Sequence, residues 1–232
     1  MNLDINWLIG LHIPSAIIPA GVLWFANVLF VVLLLYVFRS APLKKFVRNT
    51  AGQHVYFAAM VMLLLIWGIK AGISPGLGFH QLGATLFTLM FDWPLAIIGL
   101  TVILIASIAV QMPDWLSLGI NGLVSIIIPV MTSYAILKLS QKFLPDNFFI
   151  YVFVCAFFGG GIAVAISHIS AIVLLSLVHA YPDTKLVQES LLVLPLIMFP
   201  EAFLTGMLIS IFVVYKPEWV VTFDDERYII GK

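Results

Sequence analysis

Two histidines, one glutamate and one asparagine are the residues of this chain whose types and settings could do chemistry. His80 stands in GISPGLGFHQLG, residues 72–83, where Gly72, Pro75, Gly76, Gly78 and Gly83 surround a single imidazole. Glycine reaches backbone angles closed to other residues and lets another chain or a ligand come close. His12 opens HIPSAIIP, residues 12–19. Imidazole is the commonest metal ligand, and two imidazoles with backbone nitrogen suit a square-planar or tetragonal site for an ion such as nickel or copper. The plain alternative for His80 is an interfacial side chain with no ligand role. Sixty-eight positions separate the two histidines, so a joint site needs the fold to bring them together.

Glu201 sits in LIMFPEAFLTG, within an apolar run. An ionisable group at the centre of a membrane span costs about 2.5–3.5 kcal/mol on insertion scales and marks a functional site or a structural hub. It could take a hydrogen bond from Thr205 one turn on, or pair across a bundle, while Pro200 beside it frees a carbonyl one turn earlier. Asn121, in LGING, could glue helices or orient a ligand loop. His168 follows Gly159-Gly160-Gly161 and has Ser167 and Ser170 as local partners. Cys155 lies in an apolar run and reads as a small buried hydrophobe, with no second cysteine to pair with. The chain has no phosphate-binding glycine–lysine loop, no serine elbow and no HExxH, hence no energy source or hydrolytic site of its own.

The elements that must carry these residues follow from composition. The 232 residues are 62% hydrophobic and 9% charged, with no basic stripe for nucleic acid. Soluble domains are near a quarter charged, so this is an integral membrane protein, all-α, in a single transmembrane domain with a short tail at 217–232. The first 14 residues carry no Lys or Arg, so no cleavable signal peptide is apparent. Apolar runs at 20–38, 55–69, 95–110, 116–137, 148–178 and 191–215 read as spans. The run at 148–178 is too long for one straight crossing and contains the glycine triplet, which predicts a broken or tilted helix. The stretch 72–94 predicts a loop dipping into a half-length helix. Such backbone survives at membrane depth only when buried in protein or lining a wet cavity.

Counting that short element gives seven crossings. Nine of the eleven basic residues then fall on one side: Arg39, Lys44, Lys45, Arg48, Lys138, Lys142, Lys216, Arg227 and Lys232. By the positive-inside rule the amino terminus is outside and the tail cytoplasmic, which puts His12 and His80 on the same outer face.

At these residues the chain resembles the CbiM/NikM family, the substrate-binding membrane components of energy-coupling-factor transporters for cobalt and nickel. HIPSAIIP resembles the family's Met-His-Ile-Pro start, and FHQLGATLFTLMFDWPLA (79–96) its His-x-x-Gly segment. LSLGINGLVSIIIP (116–129) is similar to its Leu-Gly-Ala-Asn helix, and PEAFLTGML (200–208) to the Glu-Gly-x-x-Thr segment of its last helix. The resemblance implies a multi-pass protein of the bacterial inner membrane that is no enzyme and holds no intrinsic cofactor. It implies transported Ni2+ or Co2+ held by His12 and His80, and as partners an energy-coupling ATPase and a coupling transmembrane subunit within the membrane lipid. Ten residues precede Leu11, which stands where the family's initiating Met would be, so a start at or near Leu11 would restore the family's terminal-amine ligand. Two other readings stand beside this one: a haem-anchoring subunit using His80 with His168 or His179, and a divergent, non-transporting membrane partner.

Overall fold

The computed structural model describes residues 13–68, 82–111, 114–186 and 191–228. Among these, every regular element is helical. Helix α1 (Ala20–Ser40) leads through the short α2 (Leu43–Arg48) into α3 (Thr50–Trp67). Then come α4 (Ala84–Gln111), α5 (Trp115–Phe143), α6 (Phe148–Leu177) and α7 (Leu194–Tyr215). Six of the seven, all but α2, are long and apolar enough to cross a membrane. The runs 20–38 and 191–215 of the sequence reading correspond closely to α1 and α7.

The interior is built on α4: Leu89, Ala96, Leu100 and Leu104 have no exposed surface. By contrast α1 and α3 turn Trp24, Phe25, Leu35, Phe57 and Leu65 outward. In a bilayer such apolar faces meet lipid at no penalty.

The short element and the fourth run expected from sequence prove to be one helical element with a sharp break. Asp92 has φ 64° and ψ 159°, a region that only glycine enters freely. Its Oδ1 accepts from Trp93 N at 2.9 Å, and Pro94 follows with no N–H at all. The chain folds back here. A Cβ on Gly99 would lie 3.3 Å from the Phe87 ring and 2.6 Å from the Tyr56 hydroxyl. Twelve residues of straight helix would separate Phe87 and Gly99 by about 18 Å. The arms 84–91 and 94–111 therefore lie side by side, and Gly99 is the small residue that lets them do so.

The break strands two carbonyls. In an unbroken helix Leu89 O would accept from Trp93 N and Met90 O from residue 94. The tail takes both places: Val221 N donates to Met90 O at 3.0 Å, and Thr222 donates through N (3.3 Å) and Oγ (2.7 Å) to Leu89 O. The Thr222 hydroxyl also shares a 2.6 Å hydrogen bond with Tyr151. Arg227 Nε meets Asp146 Oδ1 at 2.7 Å, tying the tail to the turn between α5 and α6. Backbone groups cannot be left unpaired in lipid, so this tail is part of α4's integrity.

The glycine triplet does not interrupt α6. All three glycines are helical and buried, and Cβ atoms at Gly160 and Gly161 would lie 3.3–3.5 Å from Glu201 O, Thr205 and Ala202 of α7. They make a close-packing face, the use small residues have between membrane helices. The excess length is accommodated otherwise: α6 runs unbroken for 30 residues, about 45 Å, and opens with wide π turns at Tyr151–Phe158.

Candidate functional site

Asn121 stands near the start of α5 and is 1% exposed. Its carboxamide takes hold of one residue completely. Oδ1 accepts from Ile13 N at 2.8 Å, and Nδ2 donates to Ile13 O at 3.0 Å and to Ser117 O at 2.9 Å. Both backbone groups of Ile13, the residue after His12, are satisfied by one rigid planar group. Asp114 adds a second fixing point two residues on, with Oδ2 accepting from Ser15 N at 2.6 Å. Asn27 of α1 sets the base of this clamp. Its Oδ1 accepts from Gly119 N at 3.0 Å, and its Nδ2 donates to Leu116 O at 2.8 Å. A Cβ on Gly119 would fall 2.5 Å from the Asn27 backbone, so only glycine lets α1 and α5 meet here.

Glu201 does the corresponding work on the other segment. It lies in the second turn of α7, 3% exposed, and reaches across to the start of α4. Oε2 accepts from Leu82 N at 2.9 Å and Oε1 from Gly83 N at 2.8 Å. Leu82 and Gly83 directly precede the arm 84–91, where N–H groups have no helical partner and the helix dipole favours an anion. Leu82 O accepts from Trp67 Nε1 at 3.3 Å. Gly83 adopts φ +64°, and a Cβ there would stand 2.7 Å from Leu63, so the turn requires glycine. Glu201 thus finds its partners in backbone N–H groups of a distant segment. Thr205, the partner expected one turn on, packs against Gly160.

The two clamps converge on α6. Ser167 Oγ donates to Val124 O, three residues past Asn121, and Gly160 abuts Glu201 O. Seven residues, about 10 Å of helix, separate these contacts.

His12 and His80, the metal ligands expected from sequence, lie outside the described residues, as does the loop 72–81. Among the described residues no group of three His, Cys, Asp or Glu side chains could hold a metal ion. His168 is half-buried on α6, and the hydroxyls of Ser167 and Ser170 are directed at backbone carbonyls. His179 lies eleven residues further, just past the end of the same helix and exposed. Each is the expected haem partner of His80, which lies outside the described residues. Asp114 and Asn27 were not singled out from the sequence. The signal was present in each case as a lone polar residue bordering or inside an apolar run.

Comparison with known families decides the relationship. The profile of CbiM, described as the cobalt uptake substrate-specific transmembrane region, matches residues 12–219. The chain belongs to the CbiM family. The match begins at His12 and takes in both clamps. Two crystal structures share the CbiM-family chain's fold. One, described as a truncated transition metal transporter, has a TM-score of 0.72 at 19% identity, covering 88% of this chain and 98% of its own. Another, described as a transition metal transporter, gives 0.70 at 19%, covering 87% and 92%. No curated protein matches significantly.

Proposed function

We propose that this CbiM-family chain is the substrate-capture component of an importer for a divalent transition ion, nickel or cobalt. One observation carries the reading. Two buried polar side chains on different helices, Asn121 and Glu201, each grip the backbone beside an expected ligand: Ile13 after His12, and Leu82–Gly83 after His80. Polar groups buried in a membrane protein serve function or assembly, and here both are directed at the two segments a joint site needs. An ion held by two imidazoles is selected by how rigidly they are set, and clamped flanking backbone supplies that rigidity.

The chain acts as one membrane domain of seven crossings, with the arm 84–91 as the short one, the amino terminus outside and the tail cytoplasmic. The fold-back at Asp92 supports that count, and the nine basic residues on one side support the orientation. Both clamps then open outward, where the ion arrives. Transport inward is driven by an energy-coupling ATPase acting through a coupling membrane subunit in the bacterial inner membrane, because the chain carries no nucleotide motif.

Equilibrium titration of the purified protein with Ni(II) and Co(II) tests this. One ion binds per chain, and His12→Ala or His80→Ala removes binding. Stoichiometric binding retained in both variants would refute the metal site. Mass determination of the mature amino terminus runs beside it, and a start at or near Leu11 adds the terminal amine to the ligand set.

A further inference from the structure

Between α3 and α7 runs a slot of about 460 Å³, lined by residues of both helices. Its floor is the arm 84–91, through Leu86 and Met90; Ala58 and Leu208 belong to its walls. His54 and Trp219 lie at one end, and Gly83 with Glu201 at the other. We propose that this slot is a lipid site: one acyl chain of an anionic phospholipid from the cytoplasmic leaflet fills it, with the headgroup on the basic face of α2.

Three observations carry the assignment. The first is length. His54 and Ile66, both lining residues, are twelve residues apart on α3, about 18 Å of helix. Half of a ~30 Å hydrocarbon core is about 15 Å, so the slot is one leaflet deep. The second is chemistry. The lining is almost wholly apolar, and water enters a cavity only where polar partners await it. An empty slot would forfeit the dispersion contacts of its walls, and hydrocarbon is what surrounds it.

The third is charge. Helix α2 stands immediately before α3, with Lys44, Lys45 and Arg48 exposed. No acidic residue occurs between Asp4 and Asp92, so nothing on this part of the chain neutralises them. Phe46 docks edge-on against Tyr56 at 5.1 Å, and Gln53 Nε2 donates to the carbonyls of Phe46 and Val47. These contacts fix α2 against the first turns of α3, at the level of the His54 end of the slot. The opposite lip offers less, because Lys216 pairs with Glu218 at 3.7 Å. Basic clusters just cytoplasmic of a span recruit anionic headgroups.

The proposal rests on the orientation given above and is independent of metal binding. The test uses the full chain in vesicles of phosphatidylcholine with or without phosphatidylglycerol, probed by phosphatidylglycerol carrying a photoreactive group on one acyl chain. Label is expected on α3 and α7 residues facing the slot, including Ala58 and Leu208, well above label on the outward face of α1. Unlabelled phosphatidylglycerol should compete at least about tenfold better than phosphatidylcholine, and Lys44→Gln/Lys45→Gln/Arg48→Gln together should abolish that preference. Ala58→Trp, which fills the slot, should remove the α3 and α7 label. If that variant fails to fold, the label map of the unaltered chain still decides. His80→Ala should label as the unaltered chain does, so loss of the metal reading leaves this result standing. Label spread evenly over all lipid-facing helices would overturn the proposal, as would equal competition by the two lipids. Photocrosslinking from residue 58 to a partner protein in whole membranes, in place of lipid, would assign the slot to a partner helix and overturn it too.

Discussion

Glu201→Gln isolates the clamp on the His80 side. The substitution keeps size and shape but turns one acceptor oxygen into an NH2 donor. That donor then faces the N–H of Leu82 or Gly83, now accepted at 2.9 and 2.8 Å. One hydrogen bond is lost, two donors oppose each other, and the surviving bond drops from the 1.5–3 kcal/mol of a charged partner toward the ~1 kcal/mol of a neutral one. The clamped arrangement weakens by about 2–4 kcal/mol, or about 30- to about 1000-fold. A ligand that needs the clamped segment pays that factor in apparent affinity, up to the point where the segment is released outright. Calorimetric titration of Ni(II) or Co(II) into the purified variant should therefore give a dissociation constant raised at least about tenfold, with the stoichiometry unchanged. Thermal unfolding without metal, followed in parallel, separates this from general damage. A variant that binds the ion as tightly as the unaltered chain would refute the idea that Glu201 positions the site.

Asn121→Ala removes three hydrogen bonds and leaves both backbone groups of Ile13 unpaired; a loss of about 2–4 kcal/mol is expected in chemical unfolding, and a change under about 0.5 kcal/mol would show that Ile13 finds other partners. Gly83→Ala imposes a left-handed backbone costing about 1–2 kcal/mol, plus the clash with Leu63; adding Leu63→Ala should return the steric part and leave the backbone part, and complete rescue would disprove the strain argument. Thr222→Val removes the Oγ bonds to Leu89 O and Tyr151, so the melting temperature should fall while ion affinity, set at the start of the arm 84–91, stays unchanged; an unaltered melting temperature would mean that the tail does not secure the break.

The long helices were readable because their apolar runs are continuous, and the runs at 20–38 and 191–215 mark α1 and α7 to within a few residues. The hidden features are those that depend on backbone partners. Glu201 and Asn121 stood out as costly polar residues, yet what they hold is main chain, and a main-chain N–H has no letter in a sequence. The same holds for Thr222, an ordinary tail residue whose partner is a carbonyl 133 positions away. The glycine triplet was misleading in the opposite sense. Glycine marks both a break and a close contact, and only the facing residues Thr205 and Ala202 of α7 show that contact is its use. The Asp92 break was legible in part, since Pro94 announces an interruption. The positive φ at Asp92 and the fold-back beyond it depend on Gly99, Phe87 and Tyr56 meeting in space.

The repair of α4 by residues 221 and 222 has a consequence for how the protein is made. Leu89 and Met90 leave the ribosome some 130 residues before the donors that complete them. Until those donors exist, the two carbonyls need another partner. The hairpin's hydrogen bonding is complete only once the tail has emerged and docked.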